Sequence, residues 1–374
     1  MQLSETVKVY PTEYQRILTT QTMVEYINTV NSLVSGAASG HPVAKTTADV
    51  NANLPSALIN QCIRDAKSII KKHRKNFHKV ALKNRKLADQ GSAFRAKVPS
   101  LPRMRKPCCY INNQNFKIKD NSIEFPVMIN GKSKRISVLV KLTDRQKALF
   151  LGAKLGTMRI VKKNHTLIAQ IVYEAVEPKL KSEGNIMGVD LGIKCPAVSY
   201  QSDGSVKFYG NGRKNKYMRR HYAHLRKKLQ VSKKIKAVKR INNKEQRIMR
   251  DIDHKLSHDI VETAVVHSVK VIKLERLSNI RSTTRTSRKN NHSLHTWSFY
   301  RLAQFIEYKA KLVGISVEYV NPEYTSQRCP ICGSVHHAND RNYTCKCGFR
   351  IHRDLLGAMN ICNSTEFVGN RQTA

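Results

Sequence analysis

The sequence predicts an α/β protein in two dissimilar parts: a β-rich first half with a basic helical insertion, and a second half in which strands and helices alternate. Three observations carry that reading. Apolar residues at helical spacing fill most of the stretch from 12 to about 90. Period-two alternation punctuated by Pro and Gly takes over from about 94 to 183. From Ile186 onward, short apolar runs that end in an acid are separated by helical patterns.

In chain order, Thr6 to Tyr10 reads as a strand stopped by Pro11. Leu18, Met23, Tyr26, Ile27, Val30, Leu33 and Val34 mark a first helix, with a small-residue loop expected over Ser35 to Gly40. A second helix starts near Pro55 and Ser56 and runs through Ile59, Ile63, Ala66 and Ile70. Its exposed face carries Arg64, Lys67, Lys71, Lys72, Arg74 and Lys75. Strands follow at 116–118, 123–127, 136–140 and 167–173, with Gly131 at a turn, the pattern of a small antiparallel barrel. Ile186 to Gly192 is an apolar strand holding Asp190, with Ala197 to Tyr200 and Val206 to Tyr209 as antiparallel neighbours. A long basic helical stretch covers 213 to 255 and continues to 268. Val269 to Glu275 is a strand ending in an acid, Asn279 to Asn291 a polar loop, and 297 to 312 a helix ended by Gly314. A strand at 315–320, a cysteine cluster and a last helix from Arg353 to Cys362 complete the chain.

Charge narrows the function. Lys and Arg total 67 against 26 acids, a net +41 over 374 residues. So charged a surface repels itself unless an anion covers it, and each phosphate contact releases condensed counterions, which makes nucleic acid the natural partner. An anionic membrane surface or a merely soluble basic protein is the bland alternative. No segment resembles a signal peptide, and no apolar run approaches the roughly 18–20 residues of a membrane span. The nine cysteines do not scatter as a disulfide framework, so the expected compartment is the reducing cytoplasm.

Four of those cysteines sit in two knuckles, Cys329-Pro330-Ile331-Cys332-Gly333 and Cys345-Lys346-Cys347-Gly348. Four thiolates at this spacing suit one tetrahedral structural zinc. Buried or redox-active thiols are the alternative, and His336, His337 and His352 are rival ligands. Cys62, Cys108, Cys109, Cys195 and Cys362 read as ordinary thiols. Three acids form a second constellation: Asp190 at a strand beside Gly192, Glu275 ending a strand, and Asp354 opening the last helix. Taken singly they are a turn residue, a strand-end charge and a helix cap. Gathered at one sheet edge they would repel unless divalent cations bind among them, and two Mg²⁺ about 4 Å apart can activate water and stabilise a leaving 3′ oxygen. The third constellation is the basic stretch from Arg213 to Lys255, with Tyr217, His221, Tyr222 and His224 interleaved. It lacks the alternating acids of a solvated helix. Arg219, Arg220, Arg226 and Lys227 there, and Asn60, Arg64, Lys67 and Arg74 in the second helix, are the candidate nucleic-acid contacts. Gly152 to Gly156 and Gly210 to Gly212 lack the context of a phosphate loop, and Trp297 reads as a core anchor.

Together these residues resemble the TnpB (OrfB) family of transposon-encoded proteins, relatives of compact type V CRISPR effectors. The resemblance is carried by Gly188-Val189-Asp190-Leu191-Gly192, the run Leu274 to Arg281, Trp297-Ser298-Phe299-Tyr300, and Tyr324-Thr325-Ser326-Gln327 leading into Cys329. Arg353-Asp354 before Ala358-Met359-Asn360-Ile361 completes it, with Tyr10-Pro11-Thr12 and Leu54-Pro55-Ser56 as weaker matches. It implies an RNase H-like RuvC nuclease domain over 184–323 and 351–374, with Asp190, Glu275 and Asp354 as Mg²⁺ ligands and a zinc ribbon at 324–350. It also implies a wedge β-barrel over 1–12 and 94–183, interrupted by a helical recognition domain over 13–93. The implied protein is a monomer of the prokaryotic cytoplasm, nucleoid-associated when on DNA. It would carry one guide RNA from the transposon end, read a short motif beside a double-stranded DNA target, and cut that target. A CRISPR effector, or a guided repressor without cleavage, is the alternative. Where the family carries Asn and Ala after the third acid, this chain has Leu356 and Gly357.

Overall fold

Alternating burial organises the first part of the chain. In the computed structural model, which describes residues 1–163, 166–241, 243–277, 288–338 and 341–369, two units separate at Ala175 and Val176. The N-terminal unit holds a seven-stranded antiparallel sheet. Its strands are β1 (Gln2–Tyr10), β2 (Cys108–Ile111), β3 (Lys117–Lys119), β4 (Ser122–Ile129), β5 (Lys132–Val140), β6 (Leu155–Lys163) and β7 (Thr166–Glu174). Their order across the sheet is β2-β6-β7-β1-β5-β4-β3. Ile136, Val138 and Val140 of β5 point inward and the residues between them outward, the period of two that one buried face demands. Asn130 and Gly131 both take positive φ in the β4–β5 hairpin, the turn whose twist matches paired strands.

Thr12 opens helix α1 (Glu13–Ala38) with a capping box closed by Gln15. The expected loop at Ser35 to Gly40 is mostly helix, because nothing before Gly40, at φ +91°, forces the backbone to turn. Helix α2 (Ser56–Asp89) packs Leu58, Ile59, Cys62, Ile63, Ala66 and Ile70 against α1 and β2. Beyond Ile70 no residue of α2 is buried, and in that half Asp89 is the only acid among many Lys and Arg. Asn84 ties this free half to the returning chain, donating to the Ala96 carbonyl (2.9 Å) and accepting from the Ala96 amide (2.7 Å). A short helix α3 (Asp144–Gly152), also opened by a capping box, escaped the sequence reading, as did β2 and β6.

The C-terminal unit is a six-stranded mixed sheet. β8 (Asn185–Asp190), β9 (Ala197–Gln201), β10 (Val206–Tyr209), β11 (Val269–Glu275), β12 (Ser316–Val320) and β15 (Phe367–Gly369) lie in the order β10-β9-β8-β11-β12-β15. The β8–β11 and β11–β12 pairs are parallel. The long basic stretch is three helices, not one: α4 (Gly212–Val231), α5 (Ile235–Ile241) and α6 (Lys244–Val266). Lys233, at φ +52°, breaks it between α4 and α5. Of the loop expected at 279–291, residues 279–287 lie outside the described chain, and helix α7 (Arg288–Thr296) is already under way at Asn291. α6 and α8 (Phe299–Lys311) pack Leu256, Ile260, Ala264, Leu302 and Ile306 with Met187, Val189, Ile272 and Leu274 of the sheet. The final helix α9 (Arg353–Asn363) crosses β8 and β9. Strands β13 (Asn342–Thr344) and β14 (Arg350–His352) pair as a separate ribbon just before it. No described helix is long and apolar enough to cross a membrane.

Candidate active site and cysteine cluster

Strand periodicity decides where the three acids point. Met187 and Val189 of β8, and Ile272 and Leu274 of β11, join the core with α6 and α8. Gly188 and Lys273 therefore face the other way, toward α9, and so do Asp190 and Glu275 two residues on. Gly188 is required there: a Cβ would lie 2.3 Å from the Ala358 carbonyl and from the Cys362 amide. Lys273 donates to the carbonyls of Cys362 (2.9 Å) and Ser364 (2.7 Å), holding the C-terminal end of α9 with a favourable charge. Val189 is in register with Leu274, so Asp190 and Glu275 end neighbouring parallel strands. Asp354 comes to them on the first turn of α9, and a Cβ at Gly357 would stand 3.2 Å from the Asp190 carboxyl carbon.

The electrostatics follow from this crowding. Asp190 and Glu275 are only partly buried as whole residues, but protein packs closely around each carboxylate. Removal from water pushes Asp190 well above the ordinary carboxylate range, and the charges of Glu275 and Asp354 push it further; Arg353 and Arg341 act in opposition. Burial raises Glu275 to about 7, against a hydrogen bond from the Thr325 hydroxyl that favours its ionised form. Asp354, 9% exposed, accepts on both oxygens from one guanidinium nitrogen of Arg341, at 2.5 and 2.6 Å. The sequence offers Thr325 only as part of a family motif, with no role, and gives no sign of Arg341, because each meets its acid only through tertiary contact.

The four cysteines form a tighter cluster. Among the described residues, theirs is the group of potential metal ligands whose donor atoms all lie within 4.8 Å of one another. Cys329 and Cys347 Sγ are 3.6 Å apart, and Cys332 and Cys345 Sγ 3.4 Å. Zinc–sulfur bonds of about 2.3 Å give tetrahedron edges near 3.8 Å, so the four fit a zinc ribbon. Of the rival histidines, His352 is engaged elsewhere: its Nδ1 accepts from the Asp354 amide at 3.2 Å and caps α9. Cys62, Cys108, Cys109, Cys195 and Cys362 are free thiols outside the cluster.

A family model described as the Cas12f1-like TNB domain matches residues 299–361, and one described as a probable transposase (OrfB of IS605) matches 170–281. A TnpB-like protein of Methanocaldococcus jannaschii is 30% identical over 271 residues, 68% of this chain and 95% of the relative. The chain belongs to the TnpB family. The family is related to type V effectors: a CRISPR-associated endodeoxyribonuclease Cas12f1 of Sulfoacidibacillus thermotolerans is 33% identical over 133 residues, 34% of this chain and 30% of that protein. The fold resembles that of Cas12f1 solved with its single-guide RNA and target DNA, at a TM-score of 0.58 and 13% identity, covering 98% of this chain and 99% of that one. Against the TnpB pattern, Leu356 replaces a polar residue. It is fully buried with Cys329, Ala338, Tyr343 and Cys345, so it anchors α9 in the ribbon's core.

The candidate nucleic-acid contacts fall on two helices of this TnpB chain. Asn60, Arg64, Lys67 and Arg74 are exposed and three to seven residues apart along one face of α2. On α4, Arg220 and Lys227 are exposed, while Arg226 is held by Glu245 at 2.7 Å. Arg219 lines a cleft of about 990 Å³ with Arg247, Arg250, Trp297 and Tyr300, and burial disfavours its charge, partly offset by Glu245 and Asp253. None of the three acids lines that cleft. Trp297 packs against the core of the sheet, as expected of an anchor.

Proposed function

We propose that this protein is an RNA-guided DNA endonuclease whose RuvC-type site is Asp190, Glu275 and Asp354. The observation that carries the proposal is the convergence of three carboxylates on one face of the sheet, two at the ends of adjacent parallel strands and one on the helix crossing them. Such a set is short of positive charge, as the raised Asp190 and Glu275 testify, and its donors are all oxygens, which suits Mg²⁺. Two Mg²⁺, when bound, supply the charge that lowers the pKa of water and neutralises the leaving oxygen. The reaction is hydrolysis: a water oxygen bonds to phosphorus and the phosphorus–O3′ bond breaks. The acids are the metal ligands. Arg341 balances Asp354 and sets the orientation of its carboxylate.

In this reading the N-terminal sheet is the wedge barrel (1–12 and 94–183), and 13–93 is the recognition insertion that reads a motif beside the target. Residues 184–323 and 351–374 are the nuclease domain, with one structural zinc at 324–350. A guide RNA from the transposon end pairs with target DNA, and the protein holds the heteroduplex by its backbone and shape. It acts as a monomer with one RNA, in the prokaryotic cytoplasm. Keeping all three acids favours cleavage over a guided repressor. The test is Asp190→Ala in the complete complex: cleavage should be abolished, while guide and target binding stay near wild type. Glu275→Ala and Asp354→Ala should behave alike, since ligands of one site act as a unit. Undiminished cutting by a clean Asp190→Ala preparation rejects the assignment.

A further inference from the structure

Glu275, like Asp190, ends a strand, but it does so on the longest and most flexible side chain of the three acids, so something else must fix it. The Thr325 hydroxyl donates to its Oε1, and Oε2 is left without a protein partner among the described residues. Thr325 is itself 9% exposed and lies 50 residues away in sequence. It is held in turn by Asn360, whose side-chain amide donates both to the Thr325 carbonyl (2.7 Å) and to the Arg328 carbonyl (2.8 Å). Arg353 adds a contact from its guanidinium to the Ser326 hydroxyl at 3.4 Å. Asn360 and Arg353 are residues of α9, the helix that carries Asp354.

We infer that Thr325 is a positioning residue for Glu275 and that Asn360 positions Thr325, so that α9 sets the geometry of two of the three acids. The inference rests on the nuclease reading above. One helix delivers Asp354 directly and reaches Glu275 through the chain Asn360–Thr325–Glu275. The hydrogen bond engages one carboxylate oxygen and leaves the other free to serve as a ligand. It also selects one rotamer of a side chain that otherwise has several. Groups that orient a metal-binding carboxylate typically cost 10–100-fold in metal affinity or activity when removed.

The test compares Thr325→Val, which keeps shape and loses the donor, with Thr325→Ser, which keeps the donor. It uses the full chain with its guide, with Asp190→Ala as control. Thr325→Val should lower the cleavage rate constant by about 10–100-fold and weaken Mn²⁺ binding similarly, with target affinity unchanged. Thr325→Ser should stay within about threefold of wild type, and Asn360→Ala should fall between. In a Glu275→Gln background, Thr325→Val should weaken Mn²⁺ binding no further. That cycle, read together with zinc content and melting temperature, separates positioning from misfolding. Equal losses for Val and Ser, or wild-type cutting by Thr325→Val, overturn the inference. If Asp190→Ala still cuts, the nuclease assignment itself falls; if it is dead while Thr325→Val cuts normally, only the positioning role falls.

Discussion

Gly188 shows how much of the site depends on one missing atom. Its Cβ would meet backbone, not a movable side chain, on both the Ala358 and Cys362 sides. Gly188→Ala should therefore destabilise the C-terminal unit by roughly 1–3 kcal/mol and lower its melting temperature by several degrees; an unchanged melt would show that α9 can shift away freely. The acids make a second prediction, about pH. Glu275 titrates at about 7 in the fold against an ordinary 4.5, so the folded state holds a proton that the unfolded chain gives up between those values. Its contribution is therefore complete below about pH 4.5 and is lost as pH rises through 7; Asp190, raised for the same reason, acts in the same direction. Melting temperature of the chelated protein should fall across that window more steeply than that of Glu275→Gln. Added Mg²⁺ should flatten the slope, because a bound cation favours the ionised carboxylates. Parallel curves for the two proteins would remove Glu275 from the account.

The elements divide into those that local sequence dictates and those that tertiary contact supplies. β8, β11 and α9 were legible because each combines an apolar run with a chemical endpoint, Asp190, Glu275 or Asp354. The cysteine knuckles were legible from spacing alone. β2 was not, since four residues, Cys108 to Ile111, are too few to show a period. β6 ends in Lys162 and Lys163, which read as loop until β7 pairs with it. The contacts of Thr325 with Glu275 and of Arg341 with Asp354 were invisible, although Thr325 stands in a family motif, because the partners lie 50 and 13 residues away. The ribbon has a buried core of only a few side chains, so its order should depend on metal. Elemental analysis should find one zinc per chain, and Cys332→Ser should remove it and speed hydrogen exchange over 329–347. Arg341, between the knuckles, should then lose its grip on Asp354, so cleavage should fall while guide binding persists. Loss of zinc with unchanged exchange in that region would show that β13 and β14 stand by themselves.

The charge distribution of the whole molecule favours dependence on a polyanion that stays bound. The net charge of +41 is spread over elements whose own packing does not use it. The half of α2 beyond Ile70 buries nothing, and its lysines and arginines have almost no acids within a turn. Like charges three or four residues apart destabilise a helix, so this projecting half gains most when an anion lies along it. α4 repeats the pattern with no acid from Gly212 to Val231, and exposed Tyr217 stacks near His221 at 6.0 Å. A short DNA footprint alone would neutralise little of this charge, whereas a structured RNA supplies many more phosphates. Purified protein should therefore carry RNA of one dominant sequence. Arg64→Ala and Arg74→Ala should each lower the salt slope of RNA or target binding by about one if they contact phosphate. A changed preference for the target-adjacent motif would instead place them on base edges. Changing the guide end of the bound RNA should redirect cutting to the new complementary site, with Mg²⁺ required throughout. Protein stripped of RNA should be inactive on the original target and less stable at low salt, where the unscreened lysines of α2 and α4 repel most strongly. If RNase-treated protein cleaves the same sites equally well, sequence is being read by side chains, and the basic faces of α2 and α4 are contacts for DNA instead of for a guide.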